Sequence, residues 1–96
     1  MRKIVKFGIV LIHVVAPDEG KLDGKSVWEL RIDGTPDPLD FSKPRTFRPN
    51  ISRSRLCDKI RRELNSKLGS EIVDECWPEF RPELEAFYDE YLSRIA

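Results

Sequence analysis

The apolar residues of this chain change their period near Asn50, and that change limits the folds open to it. "SVWELRID", Ser26 to Asp33, alternates strictly, with Trp28, Leu30 and Ile32 on one side and Val27, Glu29, Arg31 and Asp33 on the other. Alternation of this kind belongs to a strand with one face buried. After Asn50, Leu56, Ile60, Leu64 and Leu68 recur every fourth residue with Cys57 beside them, the spacing of one buried stripe on a helix. Strands followed by helices, rather than interleaved with them, predict an α+β fold: an N-terminal antiparallel β-hairpin packed against two or three C-terminal helices. With 96 residues the chain has room for one small domain, divided as hairpin 1–33, proline-rich loop 34–50 and helical part 51–96.

Within that frame, Lys3 to Val15 is rich in Ile and Val and suits the first strand, antiparallel to Ser26–Asp33. From Ile9 to Val15 both sides are apolar apart from His13, so this strand is expected either to be covered on both faces or to meet a second copy of the chain in a homodimer. Asp18-Glu19-Gly20 and Asp23-Gly24 mark turns. "DGTPDPLDFSKPRTFRPN" holds four of the seven prolines and reads as a loop anchored by Phe41 and Phe47, with a short edge strand around Arg45 to Arg48. Asn50 or Ser52 caps the first helix and Gly69 ends it. Ser70 to Trp77 is expected to form a short second helix, with a strand as the alternative, placing Ile72, Val73 and Cys76 inward and stopping at Pro78. Pro82 then opens a last helix with Leu84, Phe87, Tyr88, Tyr91, Leu92 and Ile95 on one side.

Charge is balanced in total, 17 basic against 17 acidic residues, but not along the chain. Residues 1–42 carry six basic and seven acidic side chains, residues 43–67 nine and two, and residues 68–96 two and eight, for nets of −1, +7 and −6. In the basic segment, "SRSRLCDKIRREL", Arg55, Lys59 and Arg62 fall on the helix side opposite Leu56, Ile60 and Leu64. Arg45, Arg48 and Arg53 extend them into a patch suited to several phosphates. Two plainer readings stand beside this one: a solvated face moderated by Asp58 and Glu63, or a face neutralised by the acidic last helix. The expected function is a small non-catalytic binding module that engages nucleic acid or an acidic protein through this basic helix face.

Catalytic chemistry has little support in the residues. Cys57 and Cys76 lack metal spacing and read as reduced, buried thiols. His13 is the only histidine; nothing in the spacing pairs it with a thiol, and on an apolar strand it reads as a packed residue. Asp37 with Asp40, and Glu79 with Glu83, are acids without a sign of the opposed environments that acid and base roles need. No glycine-rich phosphate loop, nucleophile elbow or metal motif occurs, so neither a cofactor nor a metal is expected. "MRKIVKFGIVLIHVVAPDEG" imitates a secretory signal, but Lys6 interrupts its apolar run and Pro17 follows the candidate cleavage point. The run is also shorter than a membrane span of ~20 residues, so a cytoplasmic protein with no membrane partner is expected.

"GKSVWELRI", Gly24 to Ile32, resembles the strand entry of bacterial toxins of the RelE/HigB superfamily, and "FYDEYL", Phe87 to Leu92, is similar to the closing helix of some HigB-like members. The resemblance implies, as the alternative function, a ribosome-dependent mRNA endonuclease neutralised by an antitoxin. Its matching residues are Trp28, Leu30 and Arg31, most of which serve the fold in that family. The following strands, which carry the family's catalytic residues, have the proline-rich segment in their place here, and no catalytic residue is carried over.

Overall fold

In a computed structural model that describes residues 1–34 and 44–96, the expected first strand is broken in two by Gly8. Strand β1 (Arg2–Phe7) and strand β2 (Val10–Val15) pair antiparallel from Phe7 opposite Val10 to Arg2 opposite Val15. Gly8 leads their two-residue loop at φ 65°, a left-handed conformation that glycine adopts without steric cost. Because two residues separate the strands, the inward positions switch from odd numbers (Val5, Phe7) to even ones (Val10, Ile12, Val14). The run therefore looks apolar on both sides although each strand buries one face. This corrects the doubly apolar strand, the feature from which a homodimer through Lys3 to Val15 was expected. β1 is a sheet edge, and it carries exposed Arg2 and Lys6, charges of the sort that discourage edge-to-edge pairing.

A small ribbon follows, β3 (Lys21–Leu22) with β4 (Lys25–Ser26), turning at Asp23 and Gly24, which both have positive φ. Strand β5 (Trp28–Asp33) pairs with β2, and β6 (Arg45–Phe47) pairs with β5 as the short edge strand expected there. The four-stranded sheet is antiparallel throughout in the order β1-β2-β5-β6. Its inward side is apolar, with Phe7, Ile12, Val14, Trp28 and Leu30 all buried. Asp37, Asp40 and Phe41 lie outside the described residues.

The chain forms two compact units, Met1–Asn50 and Ile51–Ala96, and the second consists of two packed helices. Helix α1 (Arg53–Leu68) starts at Ser52, whose hydroxyl accepts from the Arg55 N–H at 3.4 Å. Its buried residues are Leu56, Cys57, Ile60 and Leu64, the stripe read from the sequence except for Leu68, which is only half-buried at the helix end. Gly69 alone separates it from helix α2 (Ser70–Ile95). Tyr88 of α2 holds the chain just ahead of α1, donating its hydroxyl proton to the Ile51 carbonyl at 2.5 Å.

α2 overturns the expected stop at Pro78: it is one helix of 26 residues with Pro78 and Pro82 inside it. Each proline removes a backbone donor at a cost of about 3 kcal/mol. Four residues apart, both lie on the exposed side of the helix, where the carbonyls they leave unpaired can reach water. On the other side Val73, Trp77, Phe80, Leu84, Phe87 and Tyr91 are buried in alternating steps of four and three, a heptad stripe that runs through both prolines. Burial of that stripe, at roughly 1.5–3 kcal/mol per large side chain, outweighs the two lost bonds. One continuous helix has one phase, and that phase leaves Ile72 exposed and Cys76 only half-buried, contrary to expectation. Leu92 and Ile95, also expected inward, are exposed near its end.

Replacing Pro78 or Pro82 by alanine is expected to stabilise the protein by about 1–3 kcal/mol each, after allowance for the greater freedom of the unfolded chain. Urea unfolding of the P78A and P82A proteins checks this. A lowered midpoint would show that the fold needs the prolines rather than tolerating them.

Candidate nucleic-acid interface

Five of the six basic residues of α1, all but Lys67 in its last turn, divide into two sets according to what α2 offers them. Arg53 stands in the first turn, with its guanidinium 2.8 Å from Asp89 and 3.7 Å from Glu85. Two turns on, Arg61 reaches Asp74 at 3.1 Å and lies over the Trp77 ring, 5.5 Å from its centre. These two arginines bridge the helices. Arg55, Lys59 and Arg62 point elsewhere: all three are exposed, and none has an ion pair among the described residues. The acidic second helix thus takes up part of the basic charge of α1 and leaves one stripe untouched.

The stripe spans about 10.5 Å along the axis at 1.5 Å per residue. Asp58 and Glu63 flank it, so it is narrow. Arg55 lies in the first turn, where the macrodipole disfavours a cation by about 0.3–1 kcal/mol, and no acidic residue occupies that turn to offset it. Arg53 stands at the same unfavourable end but has its two carboxylates.

Arg45, on β6, and Arg48, just beyond it, are exposed and belong to the first unit. Of the six basic residues singled out in the sequence, the helical unit therefore brings together Arg55, Lys59 and Arg62 as a stripe and holds Arg53 to α2. Arg61, which sequence reasoning passed over, is the second bridging residue. Its signal was present: it lies on the flank of α1 between the apolar stripe and the polar side, within reach of a neighbouring helix.

The remaining candidates fall into place around this division. Burial pushes the Cys57 thiol up from its usual range, reinforced by the nearby Glu85 carboxylate, so it is a poor nucleophile. Cys57 and Cys76 are not bridged. His13 Nε2 is 2.7 Å from Asp33 Oδ2 on the sheet, though off the line of a hydrogen bond. Among the described residues no three His, Cys, Asp or Glu side chains gather as a metal site, and no helix is long and apolar enough to cross a membrane. Trp28 and Leu30 are buried in the sheet, while Arg31 is exposed. No protein-family model, curated protein or solved structure matches this chain.

The difference between the thiols is open to measurement. At pH 8 an aromatic disulfide reagent is expected to modify Cys76 promptly and Cys57 only as the protein unfolds, with the slow rate rising in urea. Equal fast rates would contradict the burial of Cys57. The raised thiol also favours the unfolded state as pH rises past 9.0, the ordinary cysteine value, because the unfolded thiol ionises first.

Proposed function

We propose that this protein is a small non-catalytic binding module that engages the phosphate backbone of nucleic acid through Arg55, Lys59 and Arg62. The observation that carries this reading is the asymmetry on α1: Arg53 and Arg61 are held by carboxylates of α2, whereas the three stripe residues are exposed without an ion pair among the described residues. A phosphate near the first turn would meet both Arg55 and the positive end of the helix dipole, so a ligand recovers what the helix loses by placing a cation there. Nothing aromatic lies on the stripe to stack with bases. Binding of this kind positions a backbone and reads little sequence. An acidic protein is the competing partner for the same stripe.

Binding to a short labelled RNA and to a DNA duplex at several salt concentrations tests the proposal. Up to three phosphate contacts imply that log affinity falls against log salt with a slope of about −2 to −3. The double variant Lys59→Glu with Arg62→Glu should weaken binding at least about tenfold. Binding that ignores salt, or that survives the charge reversal, contradicts the proposal. Capture of an acidic protein without any nucleic-acid affinity would assign the stripe to that partner, and loss of intact mRNA with growth arrest on expression would favour the endonuclease reading instead.

A further inference from the structure

The solvent side of the sheet has a depression that the basic helix does not explain. Register sets the side chains of this face in rows across β1, β2 and β5: Arg2, Val15 and Glu29 in one, Ile4, His13 and Arg31 in the next. The first row is long, short, long. Val15, 4% exposed, forms a floor between two long charged side chains, and the result is a hollow of about 240 Å³ lined by Arg2, His13, Val15, Glu29, Arg31 and Asp33. Five of its six lining residues are ionisable, where the outer face of a sheet ordinarily carries separate solvated side chains.

Partnerships within the hollow are incomplete. Arg2 lies 3.3 Å from Glu19, in a pair more than half exposed on the arginine side and easily exchanged. His13 sits beside Asp33. Arg31 and Glu29, two residues apart on the same side of β5, have neither an ion pair nor a side-chain hydrogen bond among the described residues. An unpaired guanidinium presents a planar fork that matches phosphate oxygens. An ionised carboxylate is an acceptor only and needs a donor from the ligand.

We propose that this hollow binds a small phosphate ester carrying a neighbouring hydroxyl group, of the sugar-phosphate class. Arg31 holds the phosphate, Arg2 closes on it from the opposite strand, and Glu29 accepts from the hydroxyl. The hollow holds two guanidiniums, Arg2 and Arg31, and two carboxylates, Glu29 and Asp33, so it offers donors to the three free oxygens of a phosphate and an acceptor to a hydroxyl beside it. The volume lies below the roughly 300–1,000 Å³ of pockets for drug-sized ligands. It suits a phosphate with one sugar ring rather than a larger molecule. The site is independent of the stripe on α1.

His13 is the only histidine, so its ring signals in a proton NMR spectrum report on the hollow without ambiguity. Ribose 5-phosphate added to the full chain at fixed pH and ionic strength should shift those signals saturably. Arg31→Gln should weaken that binding by about tenfold or more. Glu29→Gln should lower the preference for ribose 5-phosphate over inorganic phosphate, because it takes away the hydroxyl's carboxylate acceptor while relieving repulsion of either anion. Glycine, a zwitterion, and malonate, a dicarboxylate, should not compete. Unchanged amide spectra in the two variants exclude misfolding as the cause. The proposal is overturned by a shift that does not saturate by about 20 mM, which would put the Kd above the low-millimolar range, by a shift that survives Arg31→Gln, or by equal competition from glycine or malonate.

Discussion

The helical unit depends on α2 continuing as one helix through Pro78 and Pro82. Asp74, which precedes the prolines, and Asp89, which follows them, both reach arginines of α1, at Arg61 and Arg53. A helix stopped at Pro78 would leave those two acids on separate elements with no fixed relation. Continuity is enforced from the buried side, where the heptad stripe from Val73 to Tyr91 passes beneath both prolines. Local propensity opposes the helix at two positions and tertiary burial overrides it.

The same continuity sorts the charges. With the phase of α2 settled, its inward-edge acids meet only those cations of α1 that flank the buried stripe. The paired arginines are half exposed and their bridges are worth little individually, of the order of 1 kcal/mol or less in water. Their value is positional. They consume the carboxylates near the helix contact, so the outward stripe of Arg55, Lys59 and Arg62 keeps its charge without an internal partner among the described residues. A near-neutral chain can in this way present a basic surface on one element.

Much of this was legible in the sequence, and the failures have identifiable physics. Strict alternation in Trp28–Asp33 and the four-residue recurrence from Leu56 to Leu64 placed a strand and a helix because each has one buried side and one wet side. The Gly8 turn was missed because both flanking strands are rich in branched apolar residues, and a two-residue loop shifts the inward parity without leaving a polar gap. Pro78 reads as a stop because the cost of a proline is local, whereas the burial that offsets it is spread over residues on both sides. As for the site, the stripe itself could be drawn from helical geometry. Which basic residues α2 would hold could not, because it turns on Asp74 and Asp89 sharing a helix. The hollow on the sheet was hidden for the reason the turn was: with β1 and β2 read as one strand, Arg2 and Val15 never fell in a row with Glu29.

On the proposed function, α1 carries two different sets of cations, Arg53 and Arg61 for the helix contact and Arg55, Lys59 and Arg62 for a partner. Measuring urea stability and RNA affinity together for Arg53→Gln with Arg61→Gln, and separately for Arg55→Gln with Arg62→Gln, tests it most directly. The first pair should lower stability by about 1 kcal/mol with affinity little changed. The second should leave stability equal or slightly raised, since it removes Arg55 from the wrong end of the helix dipole, while affinity falls at least about tenfold. Equal losses of affinity from both pairs would contradict the division, leaving only a uniform dependence on net charge.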